Sequence, residues 1–139
     1  MIPASYTAHF TPIMAPKLHA DISTRAPADA NAAETPYVVY LHSIEVLAEK
    51  EYIHNAWKFA HPLPDDVYSS LKSGSNEHNA RFSKATFKIP RRGVVHGLAG
   101  YFESVLYGDA ELSTRPDTIE RKSKDMISWF PIYFPLKVG

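Results

Sequence analysis

The stretch VVHGLAGYFESVLY, residues 94–107, decides how this chain is read. It is the longest candidate strand in the sequence, rich in valine, leucine and aromatic residues. Gly97 and Gly100 fall inside it. A glycine within a strand marks a bulge, a sharp bend or the close approach of another backbone, and a barrel wall needs such features. The segment is therefore expected to be a long, bent strand in a mostly β domain, an antiparallel β-barrel or a sandwich-like barrel.

On its C-terminal side, TRPDTIERKSKD, residues 114–125, reads as a charged loop that delivers the chain to MISWFPIYFPLKVG, residues 126–139. There Trp129, Phe130, Tyr133 and Phe134 favour a strand, yet Pro131 and Pro135 each lack the amide that an interior strand must donate. Two outcomes are expected: an edge strand leaving a hydrophobic loop, or a backbone shaped to hold Trp129 where a regular strand could not. On the N-terminal side, ARFSKATFKIP alternates so that residues 84–89 read as a half-buried strand. Before it, residues 63–79 read as a polar connection with room for one helical turn, Ala56–Phe59 as a strand, and PYVVYLHSIEVL, residues 36–47, as another. Residues 25–36, alanine-rich and polar, read as a surface insertion. KLHADIST, residues 17–24, predicts one or two helical turns with Leu18 and Ile22 on one face, and Tyr6–Phe10 predicts a strand that ends at the turn begun by Pro12.

At 139 residues the chain fits a single domain, and no period of 20–50 residues repeats. Fifteen cationic against fifteen acidic residues leave no net field to draw it to phosphate or to an anionic membrane, so neither nucleic acid nor membrane is an expected partner. The absence of cysteine removes disulfide and thiolate chemistry and fits a cytoplasmic or nuclear setting. No phosphate-binding glycine loop, nucleophile elbow or zinc-protease helix occurs, and the seven histidines lack metal spacing, so no metal site is expected. The carboxylate pairs Asp65 and Asp66, Asp109 and Glu111, and Asp117 and Glu120 sit in turn-like stretches and read as solvated. Trp129 has two readings: a core indole at a strand end, or an aromatic wall presented by a proline-fixed loop for a planar or cationic group. The residues leave both open.

VVHGLAGYFESVLY, then ELSTRPDT, then ISWFPIYFPL resembles the C-terminal β-barrel of protein arginine methyltransferases. The Ser128-Trp129-Phe130 loop, with IPASYTAHFTPIMAPKLH and TPYVVYLHS, looks like the symmetric, type II branch, the protein arginine methyltransferase 5 family. The resemblance implies that residues 1–139 are one C-terminal barrel and oligomerisation domain with an insertion at about 17–35. It implies an enzyme that methylates arginines of histones and other proteins with S-adenosylmethionine. That cofactor and the glutamate loop would belong to a Rossmann-type domain upstream of this segment, so the chain alone would be inactive and contribute no catalytic residue. The family's barrel would also continue beyond Gly139.

Position by position, the resemblance puts Trp129 in the tunnel for the substrate guanidinium, with Ser128 beside it, Phe130 offering its backbone to the peptide, and Val38 and His42 facing the same cleft. It puts Leu18 and Ile22 where the family has its dimerisation insertion, so that a partner subunit, or equally the chain's own barrel, would bury them. Expected partners are arginine-bearing proteins, a second copy of the chain and an adaptor protein. The rival readings are a module that only assembles oligomers, and a non-catalytic β module binding peptide or glycan through the aromatic loop.

Overall fold

The computed structural model describes residues 3–25, 37–38, 45–46, 54–60, 65, 82–126 and 128–136. Two long strands organise it: β1 (Ser5–Met14) and β5 (Gly97–Tyr107), antiparallel along nearly their whole length. The other strands are β2 (Tyr37–Val38), β3 (Glu45–Val46), β4 (His54–Ala60), β6 (Ala110–Ser113) and β7 (Ile132–Pro135). All seven belong to one antiparallel sheet, in the order β2-β7-β5-β1-β3, with β4 also on β1 and β6 also on β5. No pair closes the sheet's two ends among the described residues, so the architecture is that of an open barrel or sandwich.

Each long strand carries two partners in succession on its outer edge. On β1, β4 pairs with Ser5–Phe10 and β3 with Ile13 and Met14. Pro12, expected to end the first strand, lies inside it, and the break between β4 and β3 is the reason. The carbonyl of Ile13 accepts from the His96 amide on the β5 side, so the neighbouring Pro12 turns its missing donor toward the outer edge, where no strand among the described residues pairs with it.

Of the strand expected at 36–47, the described residues Tyr37–Val38 and Glu45–Val46 are both strand, the first paired with β7 and the second with β1, two places away in the sheet. Two further expectations need correction. Residues 84–89 join no ladder. Their alternation shows in burial alone, with Ala85 and Phe87 half-buried between exposed neighbours and the Phe87 ring edge-on to Phe10 at 5.4 Å. The strand at the C-terminal end is not an edge, because β7 lies between β5 and β2; Pro131 precedes it and Pro135 ends it, so neither removes a donor from its middle. The insertion at 26–36 and the connection at 66–79 lie outside the described residues.

The two faces of the sheet differ. His9, Thr11 and Ile13 of β1, Ala99 and Tyr101 of β5, and Tyr133 of β7 share the buried face. Helix α1 (Pro16–Arg25) covers part of it, starting with proline at the first helical position, where a missing amide is harmless. Ile22 sits in the cluster with Ile13, Ala15, Ala99, Tyr101 and Tyr133, and Leu18 packs against it. The chain's own sheet buries Ile22, while Leu18 stays half-buried beside it. The helix start is fastened by His96, whose Nδ1 accepts the Ala15 amide at 3.3 Å, and by the Tyr133 hydroxyl, 3.3 Å from His19 Nδ1. On the other face, Tyr6, Phe10, Trp57, Leu98, Phe102, Ile132 and Phe134 line an open apolar cavity of about 500 Å³.

Candidate functional site

The site forms at an interruption in the outer edge of β5. β7 pairs with Gly97–Gly100 and β6 begins at Glu103, so Tyr101 and Phe102 have no strand partner on that side. Thr114 satisfies the backbone there: its amide donates to the Phe102 carbonyl, and its hydroxyl accepts the Phe102 amide, both at 2.9 Å. The chain then swings out through residues 115–126, including the short helix α2 (Ile119–Lys122), and returns as Ser128-Trp129-Phe130-Pro131 into β7. The sequence order β6, loop, β7 thus drops the aromatic loop into the gap between the two strands it connects.

Trp129 is 53% exposed. Its ring leans on Phe102, with centroids 5.1 Å apart and planes tilted by 54°, so one side is fixed while the other stays accessible. With Tyr101, Pro116, Glu120, Lys124, Met126 and Phe130 it lines a cleft of about 360 Å³. Phe130 also lines the apolar cavity on the open face of the sheet. An exposed indole lining a cleft suits a flat cation.

Of the residues singled out from the sequence, Ser128, Trp129 and Phe130 meet in this loop, and Ser128 is exposed. Val38 is brought near by its backbone, which pairs with Ile132, three positions after Trp129. His42 lies outside the described residues. Leu18 and Ile22 belong to the packed face. Among the described residues no group of three or more histidine, cysteine or carboxylate side chains gathers as a metal site.

Sequence reasoning missed the charged cluster beneath the loop. Glu103, in the middle of the apolar strand β5, receives Arg115 Nη1 at 3.0 Å, Lys122 Nζ at 3.0 Å and the Thr118 hydroxyl at 3.2 Å. His9 Nε2 also lies 3.1 Å from Glu103 Oε2, without the alignment of a hydrogen bond. Burial works to raise the Glu103 carboxyl, but the Lys122 hydrogen bond and the charges of Arg115, Lys122 and His9 hold it below the usual range. Burial, helped by Arg115, keeps His9 below the ordinary histidine value against the pull of Glu103. Burial pushes the Tyr101 hydroxyl, at the cleft wall, up to about 12. The signal for Glu103 was present in FESV: one charge inside an otherwise apolar strand needs partners.

Residues 5–138 match the family model of the PRMT5 oligomerisation domain. The chain belongs to that family. It is 45% identical, over 98% of its length, to protein arginine N-methyltransferase skb1 of Schizosaccharomyces pombe, of which it covers 21%. It is 42% identical over 98% of its length to protein arginine N-methyltransferase 5 of Oryza sativa subsp. japonica, covering 19% of that protein. To the protein arginine N-methyltransferase 5 of Xenopus laevis it is 36% identical, again over 98% of its length and 20% of the relative's. The chain therefore spans about a fifth of the length of the curated relatives it matches. In PRMT5 oligomerisation-domain terms, the aromatic loop and the charged cluster both lie within the matched span.

Proposed function

We propose that this chain is the substrate-side barrel and oligomerisation domain of a symmetric protein arginine methyltransferase, and that its work is to position a protein's arginine side chain. The observation that carries the reading is Trp129, half-exposed over a cleft, backed by Phe102 and followed by Pro131. A guanidinium on the free face of the indole gains roughly 0.5–2 kcal/mol from the ring quadrupole. The larger benefit is orientation: a rigid aromatic wall restricts how the arginine turns, and entropy lost on binding is not lost again in the transition state. Ser128 keeps the approach open with a small side chain, and Phe130 offers the adjoining backbone to the peptide. Val38 and His42 complete the peptide-facing side in this reading.

S-adenosylmethionine supplies the methyl group in such enzymes, and the described residues do not fit it. Gly97 and Gly100 are not an open cradle, since Tyr133 and Phe134 occupy the space at their Cα atoms. The cofactor and the catalytic groups are assigned to the remainder of the full-length protein, which would act on histones and other proteins in the cytoplasm and nucleus. Assembly as a homo-oligomer, with an adaptor protein, belongs to the same proposal. Because Ile22 is occupied by the chain's own core, a contact through α1 would use its outward residues, among them Lys17 and Asp21.

The test is Trp129→Ala in the full-length enzyme. Methyl transfer to an arginine peptide should fall by about tenfold or more, in line with the loss of a positioning group, with the melting temperature nearly unchanged because the indole is largely outside the core. Turnover close to that of the parent enzyme would remove the tunnel role.

A further inference from the structure

We infer that Glu103 is a positioning residue for the arginine cleft: it clamps residues 113–123 so that the cleft wall they form stands in one place. This rests on the reading of the cleft given above. The carboxylate side chain is only 18% exposed and bonds three groups on the segment that builds the wall: Arg115 from the turn after β6, Thr118 just before α2, and Lys122 at its end. Each arm is braced a second time. Arg115 Nε and Nη2 donate to both oxygens of Asp117, and Lys122 reaches Glu111 at 3.2 Å. The Ser113 hydroxyl bonds that of Thr118 at 2.7 Å, and the Ser113 amide donates to the Ser123 hydroxyl at 2.7 Å.

The clamp matters because the segment is anchored by polar bonds at its two ends, at Ser113, Thr114 and Ser123, while the short helix between them packs no side chain into the core. α2 has four residues and buries none of them, and a helix that short does not persist on its own. Yet Pro116, Ile119, Glu120, Lys124 and Met126, within or just beyond the clamped stretch, line the same cleft as Trp129 and Phe130. On the sheet, the residue before Glu103 is Phe102, whose ring supports the indole. One strand position thus steadies the indole and the next steadies a wall of the same cleft. Removing the carboxylate would leave the Arg115 and Lys122 cations, beside His9, with no common anion, and the wall would loosen.

A double-mutant cycle in the full-length enzyme tests this, with Glu103→Gln, Trp129→Ala and both together, assayed by methyl transfer to an arginine peptide. Misplacement by about 1 Å can cost roughly 10²-fold, so Glu103→Gln should lower kcat/KM by about ten- to a hundredfold, with KM rising more than kcat falls. In the Trp129→Ala background the same change should cost no more than about twofold, because the cleft then has no indole. If Glu103→Gln unfolds the protein at the assay temperature, Lys122→Met is run in the same cycle; it leaves Arg115, Thr118 and His9 on the carboxylate and should show a smaller loss with the same non-additivity. A costly Trp129→Ala combined with losses that simply add, or with no loss from either clamp variant, overturns the positioning role alone. A harmless Trp129→Ala overturns the reading of the cleft on which it stands.

Discussion

At the scale of single residues, the close contacts in this molecule are decided where a side chain is missing or misplaced. A Cβ on Gly97 would run into the Phe134 carbonyl and the Tyr133 ring, and neither the backbone nor a fully buried tyrosine can step aside. Gly97→Ala should therefore destabilise the chain by about 1–3 kcal/mol, as over-packing does, measured by urea denaturation. Gly100 is the internal comparison. Its added methyl would meet the rim of the Phe134 ring at 2.9 Å, and that ring is 40% exposed and free to swing, so Gly100→Ala should cost clearly less. Equal losses at the two positions would mean that the glycines serve backbone flexibility and not the approach of β7.

At the scale of elements, helix α1 is held by one buried side chain and two polar fastenings. Ile22 reaches the Ile13, Ala99 and Tyr133 cluster, while the Ala15 amide and His19 are tied to His96 and Tyr133. The helix has ten residues, too few to be stable alone in water, so its helicity depends on that docking. Ile22→Ala should cost about 2–4 kcal/mol, and hydrogen exchange should rise across residues 16–25 before it rises in β1 or β5. Uniform acceleration through the sheet would show that α1 and the sheet open as a single unit.

At the scale of the whole molecule, stability is bounded by pH on both sides. His9 is held below its ordinary value of 6.5, so the folded state favours the neutral ring; that contribution is complete above 6.5 and is lost as acid protonates it. Glu103 is held below 4.5, and its contribution is complete above that value and lost as pH falls through its folded value. Tyr101 and Tyr133 are raised from 10.0 to about 12, so their contribution is complete below 10.0 and fades between there and about 12. Thermal unfolding followed by circular dichroism should therefore show a plateau from about pH 6.5 to 10, with an acid limb in two stages. Glu103→Gln should remove the lower stage and leave the alkaline limb as it was. An acid limb unchanged by that substitution would place the acid sensitivity elsewhere.

The residue pattern by itself determined the strand expected at 94–107, which forms from Gly97, the short helix carrying Leu18 and Ile22, the strand through Ala56–Phe59 and the aromatic loop at Trp129, because periodicity, β-branched content and proline position act locally. It also carried the family, through motifs spread over the chain. Only the tertiary structure decided which local patterns became ladders. Among the described residues, Pro12 stays within a strand because neither β4 nor β3 pairs at its edge; residues 84–89 alternate in burial yet join no ladder; and β7 is interior because β2 arrives on its free side. The same holds for the site. Trp129 is legible from its proline-flanked loop, whereas Glu103, Arg115 and Lys122 lie 12 and 19 positions apart along the chain and meet only when β6 folds back on β5. Local preference is written in neighbouring residues, but hydrogen-bond partners and charge pairs are set by which strand edge is left open when the sheet assembles.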